Sequence, residues 1–174
     1  MEFLNSIKDL IPDYAKDIRL NLDGTIARSS LQGNDAAGVA LAAAFAAGSK
    51  KIIELIKAGG AISPEEIQAA LSASALMGMT NVWYPYVEMA DDADLKSQVA
   101  QLRMNVYANN GGVDKRRFEM YALAASIVGK CHFCVKSHFE LLKKEGMSSQ
   151  QLRDVGRIAA TINAAAQIIA VEHG

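Results

Sequence analysis

Apolar residues along this chain recur at the spacing of amphipathic helices and do not alternate as they do in strands. Between Phe3 and Leu20 they return every three or four positions, and Pro12 breaks the segment. Alanine-rich segments without β-branched runs also favour helix. The pattern predicts an all-α fold with no significant β-sheet and helices near residues 3–20, 36–47, 50–58, 64–83, 95–107, 115–128, 131–144 and 149–171.

Two of these helices have strong start signals. Ser63-Pro64-Glu65-Glu66 supplies an N-cap serine, a proline at the first helical position and a glutamate that closes a capping box. Ser148 repeats the capping-box pattern before the last helix. Asp35 and Asp114 are predicted N-caps of two further helices, and Pro85 is predicted to end or kink the helix that Ser63 opens.

The length of 174 residues fits one domain, which we assign to residues 1–174. A faint internal repeat relates Leu55-Ile56-Lys57 to Leu141-Leu142-Lys143, and the two capping boxes follow at nearly the same offset. The pattern predicts half-repeats at about residues 35–90 and 114–172, each built as helix, turn and capped helix. Only the second half carries reactive side chains.

The charge pattern excludes several classes of partner. Lys and Arg number 18 against 19 Asp and Glu, and no basic stripe marks a surface for nucleic acid or an anionic membrane. No apolar run approaches the ~20 residues that span a bilayer, and the N-terminus lacks the apolar core of a signal peptide. We therefore expect a cytoplasmic protein. In a reducing cytosol its two cysteines point to redox chemistry or metal binding and not to a structural disulfide.

Both cysteines lie in the segment Cys131-His132-Phe133-Cys134-Val135-Lys136-Ser137-His138. Around a helix, Cys131 and Cys134 are separated by about 60°, and Cys134 and His138 by about 40°, so all three share one face. The helix N-terminus favours a thiolate over a thiol. His138 is placed to take the proton of Cys134, as the base does beside a catalytic nucleophile. The pair is predicted to cycle between dithiol and disulfide.

Glu119 stands in an otherwise apolar helical stretch before this segment. A carboxylate buried there needs a partner, because an unpaired buried charge is costly. The nearest ionisable cluster along the chain is the Cys–His helix, so Glu119 is predicted to orient His138 or to accept its proton. His132 lies about 100° from Cys131 around the helix and is predicted to fall outside the shared face.

Together, Glu119, Cys131-His132-Phe133-Cys134 and His138 resemble the alkyl hydroperoxidase AhpD branch of the carboxymuconolactone-decarboxylase-like family. The similarity covers nearly the whole chain, because three further segments also match the family. These segments are Ile11-Pro12-Asp13-Tyr14-Ala15-Lys16-Asp17-Ile18-Arg19-Leu20-Asn21-Leu22, Met77-Gly78-Met79-Thr80-Asn81-Val82 and Leu102-Arg103-Met104-Asn105.

The resemblance implies an all-α fold with a repeated helical unit, assembled into a homotrimer or a higher homo-oligomer. It implies reduction of alkyl hydroperoxides and regeneration of the peroxiredoxin AhpC, with electrons from the dihydrolipoyl group of a partner protein and no bound cofactor. Cys134 would form the sulfenic acid and Cys131 would resolve it. His138, as base, and Glu119 would relay the proton that makes the Cys134 thiolate.

One position departs from the family. A histidine there directly precedes the second cysteine, whereas this chain has Phe133 at that position and a histidine at His132. We therefore expect weaker peroxidase activity with dithiol exchange preserved. Two alternatives stay open: a dithiol–disulfide relay without useful peroxidase activity, and a zinc module with Cys131, Cys134, His138 and Glu119 as ligands. A ring-opening decarboxylase is disfavoured because that reaction needs no redox pair.

Overall fold

The computed structural model describes all residues from Met1 to Gly174 and contains nine α-helices, short 3₁₀ and π turns, and no β-strand. The predicted all-α class is confirmed. In chain order the helices are α1 Glu2–Lys8, α2 Lys16–Leu22, α3 Gly33–Ala46, α4 Lys50–Ala58, α5 Pro64–Ala90, α6 Ala93–Ser97, α7 Lys115–Val128, α8 His132–Lys144 and α9 Ser149–His173.

Helix α3 lies at the centre of the fold and packs against α5, α7 and α9. It is buried on every side, which explains why its sequence is apolar all round and lacks a polar stripe. Small side chains let the neighbouring helices approach closely. At Gly38 an added Cβ would lie 2.5 Å from the ring of Tyr121, so this position accepts no side chain without displacement of a buried aromatic ring.

The predicted capping boxes at Ser63 and Ser148 are confirmed, and Asp114 caps α7 as predicted. Asp35 is not an N-cap, because α3 begins earlier, at Gly33. Its buried carboxylate instead accepts a hydrogen bond of 2.8 Å from Nε of Arg117 on α7. This ion pair links α3 to α7 and engages a carboxylate oxygen that an N-cap would use to bind a backbone N–H.

Two other local predictions are wrong at least in part. Of the two outcomes predicted at Pro85, an end of the helix does not occur: α5 continues to Ala90, since a long helix packed along α3 and α7 tolerates one missing hydrogen bond. The predicted helix at 95–107 is reduced to α6 and a 3₁₀ turn at Asn105–Ala108. Val99 between them is fully exposed and Gln101 has a φ of 51°, so this segment has no continuous apolar face to bury.

The proposed half-repeats at 35–90 and 114–172 correspond to the helix trios α3–α5 and α7–α9. In each trio the last helix is long and opens with a capping box. The repeat itself stays a prediction.

Candidate active site

The four predicted site residues lie on α7 and α8 and in the sharp turn between these helices. Helix α7 ends at Gly129, whose Cα faces the side chain of Asn81 so closely that a Cβ would collide with it. Lys130 follows in the left-handed region with a φ of 56°. After this turn α8 packs against α7. Helix α8 begins directly after Cys131.

Cys131 and Cys134 form a disulfide, so the structure describes the oxidised state of the pair. Cys131 is the N-cap of α8, and its Sγ accepts a hydrogen bond of 3.2 Å from the backbone N–H of Cys134. The two sulfurs differ in their surroundings. Cys131 is completely buried, whereas Cys134 is 3% exposed, lines a cavity and has its Sγ 3.8 Å from the carbonyl oxygen of Thr80.

Glu119 and His138 form a buried pair in which Oε2 of Glu119 lies 2.6 Å from Nδ1 of His138. The residues are 4% and 8% exposed, respectively. Glu119 therefore has the partner that its apolar context demanded. The other ring nitrogen, Nε2, lies 3.2 Å from Sδ of Met77. A thioether only accepts hydrogen bonds, so a hydrogen on Nε2 satisfies this contact. Nδ1 and Oε2 of Glu119 then lie at a distance over which they can share one further proton.

A cavity of about 160 Å³ gives access to Cys134 and His138. Met77 and Thr80 of α5 form one side, and the irregular segment before α7 adds Tyr107. Burial, followed by the nearby negative charge of Glu119, raises the pKa of Tyr107, so its phenol stays neutral over the physiological range. The cavity thus combines one cysteine, an imidazole–carboxylate pair and a neutral phenol.

Comparison with known proteins places this site in a family. The Carboxymuconolactone decarboxylase family matches residues 93–172, which include α7, α8 and most of α9. A protein from Coxiella burnetii named alkyl hydroperoxide reductase AhpD is 39% identical over 175 residues, covering 98% of both chains. The chain belongs to the AhpD family. Proteins of the same name from Maricaulis maris and Rhodospirillum centenum are 40% and 41% identical over 171 residues, covering 97% of this chain and 98% and 91% of theirs.

Within this AhpD-family site, the family histidine before the second cysteine has no replacement. His132 is exposed and lies on the outer surface of α8, away from the cavity of Cys134. This agrees with its predicted position outside the shared face. Phe133 is 54% exposed and stacks on Tyr84, with ring centroids 4.4 Å apart.

Several residues of this AhpD-family site could not be assigned from sequence. Met77 carries the contact to His138, but in sequence it looks like an ordinary core or subunit-contact methionine. Thr80 contributes a backbone carbonyl, which any residue has. Tyr107 could not be placed because the sequence predicts a helix over residues 95–107, whereas the structure has a 3₁₀ turn at this residue.

Two further findings concern metal binding and membrane insertion. With Cys131 and Cys134 joined in the disulfide, no group of three or more His, Cys, Asp or Glu side chains is arranged to hold a metal ion. None of the helices has the length and apolar character needed to cross a membrane.

Proposed function

We propose that this protein is an antioxidant thiol peroxidase and disulfide reductase that uses the Cys131–Cys134 pair. It reduces alkyl hydroperoxides and regenerates the peroxiredoxin AhpC, and a dihydrolipoyl group on a partner protein returns the electrons. The observation that carries the proposal is the redox pair at a buried cavity beside the His138–Glu119 pair. The names of the relatives support the class of substrate, and the family resemblance implies AhpC as the partner.

In the oxidative half-reaction, Cys134 is the peroxidatic residue because its sulfur faces the cavity. Its thiolate attacks the hydroperoxide oxygen, the O–O bond breaks, and the leaving alkoxide takes a proton to become an alcohol. His138, acting with Glu119, holds the proton that came from the Cys134 thiol and delivers it to the alkoxide. The Cys131 thiol then condenses with the Cys134 sulfenic acid, releasing water and forming the disulfide.

In the reductive half-reaction, a dihydrolipoyl thiolate attacks Sγ of Cys134, since Cys131 is completely buried. Cys131 leaves as a thiolate that the backbone N–H of Cys134 stabilises at the start of α8. The second lipoyl thiol releases Cys134, so two electrons and two protons pass to the pair. The reduced pair transfers them to the disulfide of AhpC by the same exchange.

We also propose that the protein acts in the cytoplasm as a homotrimer or a higher homo-oligomer. Val82, Tyr86 and Met89 are exposed on α5 at helical spacing, so they form one apolar row on its outer face. Exposed apolar rows of this kind mark interaction surfaces.

A dithiol–disulfide relay without useful peroxidase activity is the second candidate. The observation that favours it is Phe133 at the position of the family histidine, with His132 turned to the outer surface. If the missing histidine is required for peroxide reduction, exchange between lipoyl and protein disulfides still needs only the cysteine pair and its base.

The deciding experiment measures reduction of an organic hydroperoxide by the purified protein with dihydrolipoamide, in wild type, Cys134→Ser and Cys131→Ser. We expect turnover to be lost in both variants, with a sulfenic acid trapped by dimedone only in Cys131→Ser. Rapid disulfide exchange without wild-type turnover would establish the relay instead. Absence of both activities, with one zinc bound per chain, would refute the redox proposal.

A further inference from the structure

A second and larger cavity lies beside the one that contains Cys134. It has a volume of about 610 Å³ and forms a groove between the C-terminal half of α5, α6 and the first turn of α8. Its apolar lining comes from Trp83, Val87, Leu95 and Ala100 in addition to two shared residues. The shared residues are Tyr84 and Phe133, which line both cavities.

The sizes of the two cavities indicate which part of an organic hydroperoxide each of them can hold. Pockets for small molecules usually measure about 300–1,000 Å³, and the inner cavity, at about 160 Å³, has room for only a short alkyl hydroperoxide. It can hold the peroxide group and the nearest carbon atoms. Any longer chain has to continue past Tyr84 and Phe133 into the groove, which is the adjoining space of sufficient volume.

Tyr84 and Phe133 lie between the two cavities. Their rings stack with centroids 4.4 Å apart, while Cys134 behind them is almost inaccessible. Phe133 is more than half exposed and lies in the first turn of α8, so its ring can swing outward without loss of core packing. We call Tyr84 and Phe133 the aromatic gate.

We propose that the groove is a binding subsite for the hydrocarbon chain of an organic hydroperoxide, entered through the aromatic gate. The proposal rests on the peroxidase function proposed above and adds the place where the alkyl part of its substrate binds, with a preference for longer apolar chains. Glu88, Lys96 and Lys136 also line the groove, and the glutamate offsets one of the two lysines. An uncharged chain would contact the apolar side chains of the lining.

The test is a series of primary alkyl hydroperoxides from ethyl to octyl, reacted with the reduced protein in a stopped-flow instrument. Trp83 is the single tryptophan and lines the groove, so its fluorescence reports the reaction directly. Each methylene that enters the groove should raise the second-order rate constant by up to about fourfold. We expect octyl hydroperoxide to react at least about tenfold faster than ethyl hydroperoxide, with hydrogen peroxide the slowest.

Two variants test the groove and the gate separately. Val87→Ser removes apolar lining from the groove and should lower the ratio of the octyl to the ethyl rate constant several-fold. Phe133→Ala opens the gate and should raise the rate constant for hydrogen peroxide relative to that for octyl hydroperoxide. Val171→Ser is the matched control, because Val171 is an exposed valine on α9 that lines neither cavity. It should leave all rate constants unchanged.

The possible outcomes separate this inference from the proposed function. Rate constants independent of chain length, with the disulfide still formed, would overturn the subsite and leave the peroxidase intact. Slower reduction of Val87→Ser by dihydrolipoamide, with an unchanged octyl-to-ethyl ratio, would assign the groove to the dithiol and also overturn the inference. Absence of oxidation by every hydroperoxide would overturn the peroxidase itself.

Discussion

The pair of Glu119 and His138 provides the sharpest test of the proposed proton relay. Glu119→Gln keeps the shape of the side chain but removes the charge that lies 2.6 Å from Nδ1 of His138. The glutamine amide can still donate to Nδ1, while Met77 still accepts from Nε2. His138 is then held as a neutral imidazole in its present orientation, and the shared proton is lost.

The expected loss follows from the burial of the pair. A hydrogen bond to a charged group contributes about 1.5–3 kcal/mol and a neutral one about 0.5–1.5 kcal/mol. The substitution therefore weakens the hold on the shared proton by about 1–2 kcal/mol, a factor of about 5–30. A complete general acid–base contribution is about 10²–10⁴-fold. Because His138 remains, we expect the rate of Cys134 oxidation to fall by about 5- to 30-fold and not by that complete contribution.

The assay compares two substrates in stopped-flow oxidation of the reduced protein. An alkyl hydroperoxide leaves as an alkoxide that needs a proton, whereas a peroxy acid leaves as a stable carboxylate. If the pair acts mainly as the acid, Glu119→Gln should be slow with the alkyl hydroperoxide and nearly normal with the peroxy acid. If it acts mainly as the base that forms the thiolate, both substrates should slow equally.

The control is Glu140→Gln, a change on the exposed surface of α8. It should leave both rates unchanged, and the unfolding temperatures of all the proteins should confirm that each variant is folded. A loss of less than about twofold for both substrates in folded Glu119→Gln would refute the proton relay.

Three further predictions concern tautomer, pH and packing. Met77→Leu should shift the ¹⁵N resonances of His138 towards mixed tautomers in NMR spectra, because Nε2 loses its acceptor, whereas Met147→Leu should not. Burial raises the pKa of Asp154, but hydrogen bonds from Ser30, Arg157 and Arg153 outweigh it and lower the pKa to about 2. Denaturant titrations should show about 2 kcal/mol of stability lost between pH 4 and pH 2 in wild type but not in Asp154→Asn. Gly38→Ala should cost about 1–3 kcal/mol or more in the same measurement, because its Cβ meets buried Tyr121.

The parts of the fold that the sequence predicted correctly depend on local interactions. Capping boxes at Ser63 and Ser148 satisfy backbone groups within four residues, so their pattern is sufficient to place a helix start. Cys134 and His138 line the same cavity, as their one-turn spacing on α8 leads one to expect. Glu119 could be singled out because a carboxylate in an apolar stretch needs a partner.

The parts that failed depend on contacts between distant segments. Asp35 does not cap a helix and instead pairs with Arg117, which is 82 residues away along the chain. The segment directly after α6 is not helical although its sequence has helical spacing, because no neighbouring helix covers Val99. For the same reason Met77 and Tyr107 could not be assigned to the site: their roles depend on how α5 and the segment before α7 meet α8.

The start of α8 makes the two cysteines chemically unequal, which their spacing alone does not reveal. The first cysteine of such a pair occupies the N-cap, so the N–H of Cys134 points at the sulfur of Cys131. The second cysteine faces inward, where it meets the cavity and His138. The positive end of the helix then assists the reductive half of the cycle, in which Cys131 leaves as a thiolate. The imidazole–carboxylate pair assists the oxidative half, in which Cys134 attacks. A variant that damages only one of these two features should therefore slow only one half-reaction.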